Sequence, residues 1–139
     1  MEEKPDYYYN QSAVLPFIKD GQTYKVVLVT TRKKKKWTIP KGIVEPDLDP
    51  VDSARKEAEE EAGIGGYIEP VVFDTFQYDK WGGTCHVKVY LMEVHEVLKE
   101  WPESDFRERE FFTPENAARV IGRQEIKHVL KKFSDQLEE

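Results

Sequence analysis

The sequence predicts a three-layer α/β/α sandwich, a mixed β-sheet with helices on both faces. Strand-like runs come first, one strongly capped helix follows, further strand-like runs come next, and two helical patterns close the chain. Elements in that order bury their apolar faces when helices cover both sides of a sheet. Val26-Val27-Leu28-Val29 is a continuous apolar run, the pattern of a central strand. With 139 residues, 39% hydrophobic and 35% charged, the chain has material for one core but not two, under a heavily charged surface.

Taken in order, Met1–Asp6 is a polar stretch expected to be loosely held. Tyr7–Ile18 reads as a strand, with a break expected near Pro16. Lys19-Asp20-Gly21-Gln22 is a hairpin turn, because Asp-Gly between two apolar runs supplies the left-handed backbone such turns need. Tyr24–Thr31 is the second strand. After the helix described below, Gly65-Gly66 reads as a loop and Tyr67–Tyr78 as a strand with Val71, Val72 and Phe73 in the core. Asp79–Gly83 is a hairpin tip. Thr84–Val97 alternates, with Cys85, Val87, Val89, Leu91 and Glu93 on one face. Lys99–Arg109 is a polar loop. Thr113 caps a short helix with Pro114 at its first position and Gly122 at its end, packed down by Ala117, Ala118, Val120 and Ile121. The last helix runs from Gln124 to about Gln136, with Ile126, Val129, Leu130, Phe133 and Leu137 on one face.

The chemistry concentrates between Pro40 and Ile64. Asp49 is a good N-cap, Pro50 suits the first helical position and Gly63 a left-handed C-terminal cap. Glu57, Glu60 and Glu61 stand at i, i+3 and i+4, so an α-helix sets their carboxylates side by side. Val51, Ala54, Ala58 and Ala62 form a small-residue stripe that lets the helix sit close to a sheet. Like charges so spaced destabilise a helix, and a divalent cation taking oxygen ligands would offset the repulsion. A solvated acidic face is the competing reading. The Lys41-Gly42 turn, which could bring an ammonium and backbone amides to a phosphate, favours the cation.

With its lead-in Trp37-Thr38-Ile39-Pro40-Lys41-Gly42, this stretch resembles the Nudix box, G-x(5)-E-x(7)-R-E-U-x-E-E-x-G-U, with U a bulky apolar residue. Gly42, Glu57, Glu60, Glu61, Gly63 and Ile64 match in register. Leu48 stands where the first Glu is expected, Lys56 replaces the Arg, and Ala58 is smaller than usual. Arg55 cannot stand in for Lys56, because neighbouring helical residues point about 100° apart. In the family that Arg helps orient a catalytic Glu through a forked hydrogen bond, which a lysine cannot make.

The resemblance implies a Nudix fold over residues 1–139 as a single domain, and a hydrolase that splits a diphosphate bond with Mg²⁺ or Mn²⁺. It implies Glu57, Glu60 and Glu61 as metal ligands, with Glu57 favoured as base, Glu60 beside it, and Glu108 and Glu110 as later alternatives. Lys41 and Gly42 would hold phosphate. Arg32–Lys36 is either a solvated loop or a polyanion clamp, with Arg32 and Lys36 reaching the same pocket. Trp37–Pro46 and the tail Glu100-Trp101…Arg107-x-Arg109-x-Phe111-Phe112 are similar to the diphosphoinositol polyphosphate phosphohydrolases. The lead-in is shared with the asymmetrical diadenosine tetraphosphate hydrolases. Arg107, Arg109 and Trp81 are further candidates for substrate contact, Trp81 by stacking on a base; the bland reading makes Trp101, Phe111 and Phe112 core residues. A Nudix-like binding module without turnover and an RNA- or cap-processing enzyme are the alternatives.

The net charge of −6 argues against general affinity for nucleic acid or membranes. Cys85 is the one cysteine, which rules out an intrachain disulfide and fits a reducing cytoplasm. No apolar run nears 18 residues and no secretory leader is evident, so neither a membrane span nor export is expected. The expected partner is a small-molecule polyphosphate; the oligomeric state stays open, the resemblance allowing a homodimer.

Overall fold

In the computed structural model, which describes residues 4–138, an eight-stranded mixed sheet carries helices on both faces. The expected loose stretch falls partly on residues 1–3, outside the described residues; Asp6–Tyr9 is a 3₁₀ turn, so the first strand starts later than Tyr7. That strand, β1 (Asn10–Asp20), is unbroken at Pro16. One of its edges pairs in parallel with β7 (Gly83–Val97). Its other edge pairs with β4 (Lys41–Ile43) through Gln11–Ala13 and with β2 (Thr23–Thr30) through Phe17–Asp20. Pro16 falls between those two partners, where its missing N–H costs the ladder least.

The Gly21 turn joins β1 to β2 with the expected left-handed φ of 65°. Strand β2 is central: β1 and, further along the same edge, β3 (Trp37–Thr38) flank it on one side, and β8 (Arg109–Phe112) on the other. Val26 to Val29 are fully buried, alternately toward the two faces. Strand β8 was not foreseen: its four residues follow a charged loop and show no alternation.

Gly65-Gly66 is not a loop but a bulge within β5 (Ile64–Ile68). The single strand expected over Tyr67–Tyr78 is instead β5 and β6 (Asp74–Lys80), both paired with the same β7. Between them Pro70 has no N–H to donate and the chain bows out of the ladder. It rejoins when the Phe73 N–H donates to the Val89 carbonyl at 2.8 Å. Val71 and Val72, expected in the core, are therefore exposed. The β6–β7 hairpin tip is a two-residue turn in which Trp81 and Gly82 both have positive φ.

One face of the sheet packs against α1 (Pro50–Glu57) and the π-helical turn that continues it, Ala58–Ala62, through Ala54, Ala58, Ala62, Val14, Val27 and Met92. The other face packs against α2 (Pro114–Val120) and α3 (Gln124–Leu137), centred on Phe133, Leu130 and Ile126. In β7 the expected face holds up to Leu91, but Glu93 is exposed, whereas Tyr90, Met92 and Val94 are buried under the first helix. Val120 is exposed at the end of α2 rather than packed. No helix among the described residues is long and apolar enough to cross a membrane.

Candidate active site

Asp49 caps α1, its carboxylate accepting from the Asp52 N–H at 2.8 Å. Gly63 ends the π turn with φ 63°. A π turn rotates less per residue than an α turn, so it changes which carboxylates meet. Glu57 and Glu61 converge on one groove, while Glu60 swings away to Lys56, 4.0 Å off on the solvent side. The three-carboxylate face expected of an α-helix is thus a pair plus an outlier. Among the described residues no three acidic, imidazole or thiol groups converge on a common metal position.

The pair sits deep. Glu61 is buried, and Gly42 in β4 lies so close to Glu57 that an added Cβ would overlap its carboxyl group. Burial pushes Glu61 well above the usual carboxylate range, opposed first by Arg107; Glu57 is raised by burial too, with a hydrogen bond from Glu61 opposing it. One Glu61 oxygen accepts from the Lys41 N–H at 3.3 Å. The other lies 3.7 Å from the Arg107 guanidinium.

A groove of about 390 Å³ opens over the pair, lined also by Arg32, Lys41, Gly42, Glu45, Tyr78, Lys80 and Trp81. The Lys41 ammonium contacts the Tyr78 hydroxyl at 3.1 Å, and that hydroxyl donates to Gln11 at 2.7 Å. Burial pulls Lys41 down to about 8, with Glu61 opposing. Trp81 is half-buried: its carbonyl accepts from the Tyr9 hydroxyl at 2.8 Å, and the Lys80 ammonium lies 4.5 Å from its ring centroid. Arg32 and Lys80 also line a second groove of about 740 Å³ with Lys33, Lys34, Lys36 and Arg123, so the two grooves form one basic track.

Two expected substrate contacts lie elsewhere. Arg107 is held by Glu103 at 2.6 Å and by the Thr30 carbonyl at 2.8 Å. Arg109 donates to the Ala62 carbonyl at 2.7 Å and lies 4.1 Å from the Trp101 ring centroid. Glu108 and Glu110 do not line the carboxylate groove. Glu45, Lys80 and Arg123 line the track but went unmarked in the sequence. Glu45 lies within the Trp37–Pro46 lead-in and offered a signal; the other two had none, since pairing and the α2–α3 link bring them in.

A model of the NUDIX domain matches residues 9–133, nearly the whole chain. The chain belongs to the Nudix family. This Nudix protein is 30% identical over 121 residues to human diphosphoinositol polyphosphate phosphohydrolase 3-alpha, across 84% of this chain and 71% of that protein. It is 30% identical over 113 residues to diphosphoinositol polyphosphate phosphohydrolase 2 of Rattus norvegicus, across 80% and 62%. Its fold is shared with the C. elegans Ap4A hydrolase, TM-score 0.77 at 24% identity, over 92% of this chain and 97% of that one. Family membership makes it a hydrolase of phosphoric anhydrides, an activity that in Nudix enzymes generally depends on a divalent metal. The site fits such an ion: the buried Glu61 and the half-buried Glu57 face one groove, and magnesium-like ions commonly take one or two carboxylates plus substrate phosphate oxygens and water.

Proposed function

We propose that this Nudix hydrolase cleaves a diphosphate linkage in a phosphate-crowded small molecule, of the diphosphoinositol polyphosphate or dinucleoside polyphosphate type. The observation that carries this is the basic track running from the carboxylate pair to Lys33, Lys34, Lys36 and Arg123. A substrate with one diphosphate would leave most of it idle. Glu57 and Glu61 would hold Mg²⁺ or Mn²⁺, with Glu60 and Glu45 at the margin. Bound there, such an ion neutralises phosphate charge and makes a nearby water more acidic. The Lys41 ammonium grips a non-reacting phosphate, beside Gly42, which lets the backbone pass close to the Glu57 carboxyl. Glu57 takes the proton of the attacking water as its oxygen bonds to phosphorus and the bridging P–O bond breaks, the leaving phosphate departing with the bridging oxygen. Residues 1–139 act as one domain in the cytoplasm, without nucleic acid as partner.

A substrate panel with Mg²⁺ or Mn²⁺ tests this: dinucleoside polyphosphates, diphosphoinositols, inorganic polyphosphate, nucleoside triphosphates and nucleotide sugars, with products identified. The expected result is fastest turnover on the phosphate-rich members, lost in Glu57→Gln and Glu61→Gln proteins that still fold. Tight binding without turnover of any member would favour the binding-module reading.

A further inference from the structure

Glu61 is held from several directions, and most of the hold comes from one distant loop. The helix ends in a π turn, which leaves its last carbonyls facing outward. The Leu98–Arg109 segment takes them up one by one. Glu103 N–H donates to the Glu60 carbonyl at 3.1 Å, Trp101 Nε1 to that of Glu61 at 2.8 Å, Arg109 to that of Ala62 at 2.7 Å, and Leu98 N–H to that of Gly63 at 2.8 Å. The same segment supplies Arg107, whose guanidinium approaches the Glu61 carboxylate from the side opposite Lys41. Arg107 is itself fixed by Glu103 and by the Thr30 carbonyl, and its side chain is 12% exposed, so it is not a mobile surface charge. Lys56 faces Glu60 instead, and Arg55 donates to the Gly66 carbonyl at 3.0 Å. No basic side chain of the helix is therefore paired with Glu61.

We infer that Arg107 is a positioning residue: it orients the Glu61 carboxylate for its ligand, doing from a loop what no cation of the helix does. It lines neither groove and acts through Glu61. The inference rests on the reading of Glu57 and Glu61 as the metal-holding pair. A buried carboxylate with one oxygen hydrogen-bonded to a backbone amide and the other 3.7 Å from an anchored guanidinium has its plane restrained, which favours binding of a divalent ion. Removing the guanidinium lets the plane turn.

The test measures Mn²⁺ binding to the intact protein by electron paramagnetic resonance, alongside melting temperature, kcat and KM, for Arg107→Gln, Arg107→Lys, Glu61→Gln and the Arg107→Gln/Glu61→Gln pair. Expected for Arg107→Gln is Mn²⁺ binding weakened by ~10- to 100-fold, kcat lowered by a similar factor, and KM for the polyphosphate little changed. Arg107→Lys should recover part of the loss. In the Glu61→Gln background the second substitution should change Mn²⁺ binding no further. Wild-type Mn²⁺ affinity in Arg107→Gln, or an equal loss whether or not Glu61 is present, overturns the inference. If Arg107→Gln does not fold, Arg107→Lys decides: it folds with a single ammonium in place of the fork, and unaltered Mn²⁺ binding counts against positioning. If Glu57→Gln and Glu61→Gln keep full phosphate release, the reading of the site has failed first. If they lose it and Arg107→Gln does not, only Arg107 has failed.

Discussion

Glu57 and Glu61 are costly to keep. A carboxyl whose folded pKa is raised destabilises the fold once ionised, so stability is gained as pH falls through the folded value toward the ordinary 4.5 and lost as pH climbs. Metal-free protein should therefore melt higher at mildly acidic pH than at neutral pH, and Mn²⁺ should flatten that dependence. Glu57→Gln should stabilise the metal-free protein at neutral pH while abolishing turnover; thermal melts in chelator and a phosphate-release assay check both. Lys41 works in the opposite sense. It is charged below about 8 and neutral above. Its grip on phosphate should weaken as pH rises through that value, lowering kcat/KM, which reports the free enzyme. Lys41→Gln should be slower throughout and lack that limb of the profile.

The helix and its π turn are held by two glycines with different duties. Gly42→Ala would drive a methyl into the Glu57 carboxyl, so the protein should fold and lose activity. Gly63→Ala would strain a left-handed residue and press on the Trp101 Cβ at 2.7 Å, costing about 1–2 kcal/mol for the backbone alone. Calorimetry of both variants separates the site defect from the fold defect. Both glycines were legible in the sequence, as were the Asp49 and Thr113 caps, the Gly21 turn and the face of α3, because each is fixed by neighbours along the chain. The π turn was not: Ala58–Ala62 carries no residue that announces it, and it depends on carbonyl partners supplied by Leu98–Arg109. Its consequence, Glu60 parting from Glu57 and Glu61, was invisible for the same reason. Val71 and Val72 were misplaced because apolar composition outweighed the missing N–H of Pro70.

At the scale of the molecule, the net charge of −6 coexists with a cationic track beside the carboxylate pair. Such a surface gathers polyanions locally while repelling them elsewhere. Hydrolysis of a phosphate-rich substrate should slow with added salt through a rising KM, and replacing Lys33, Lys34 and Lys36 together with alanine should raise that KM about tenfold with kcat nearly intact. A single-diphosphate substrate should respond much less; steady-state kinetics at several ionic strengths decide it. The layout was foreseen from element order, but the parallel pairing of the first long strand with one beginning at Gly83 was not. That pairing governs how the protein comes into being. On the ribosome β1 has one whole edge without its neighbour until synthesis has reached Glu93, so the sheet closes late and refolding must wait on a distant encounter.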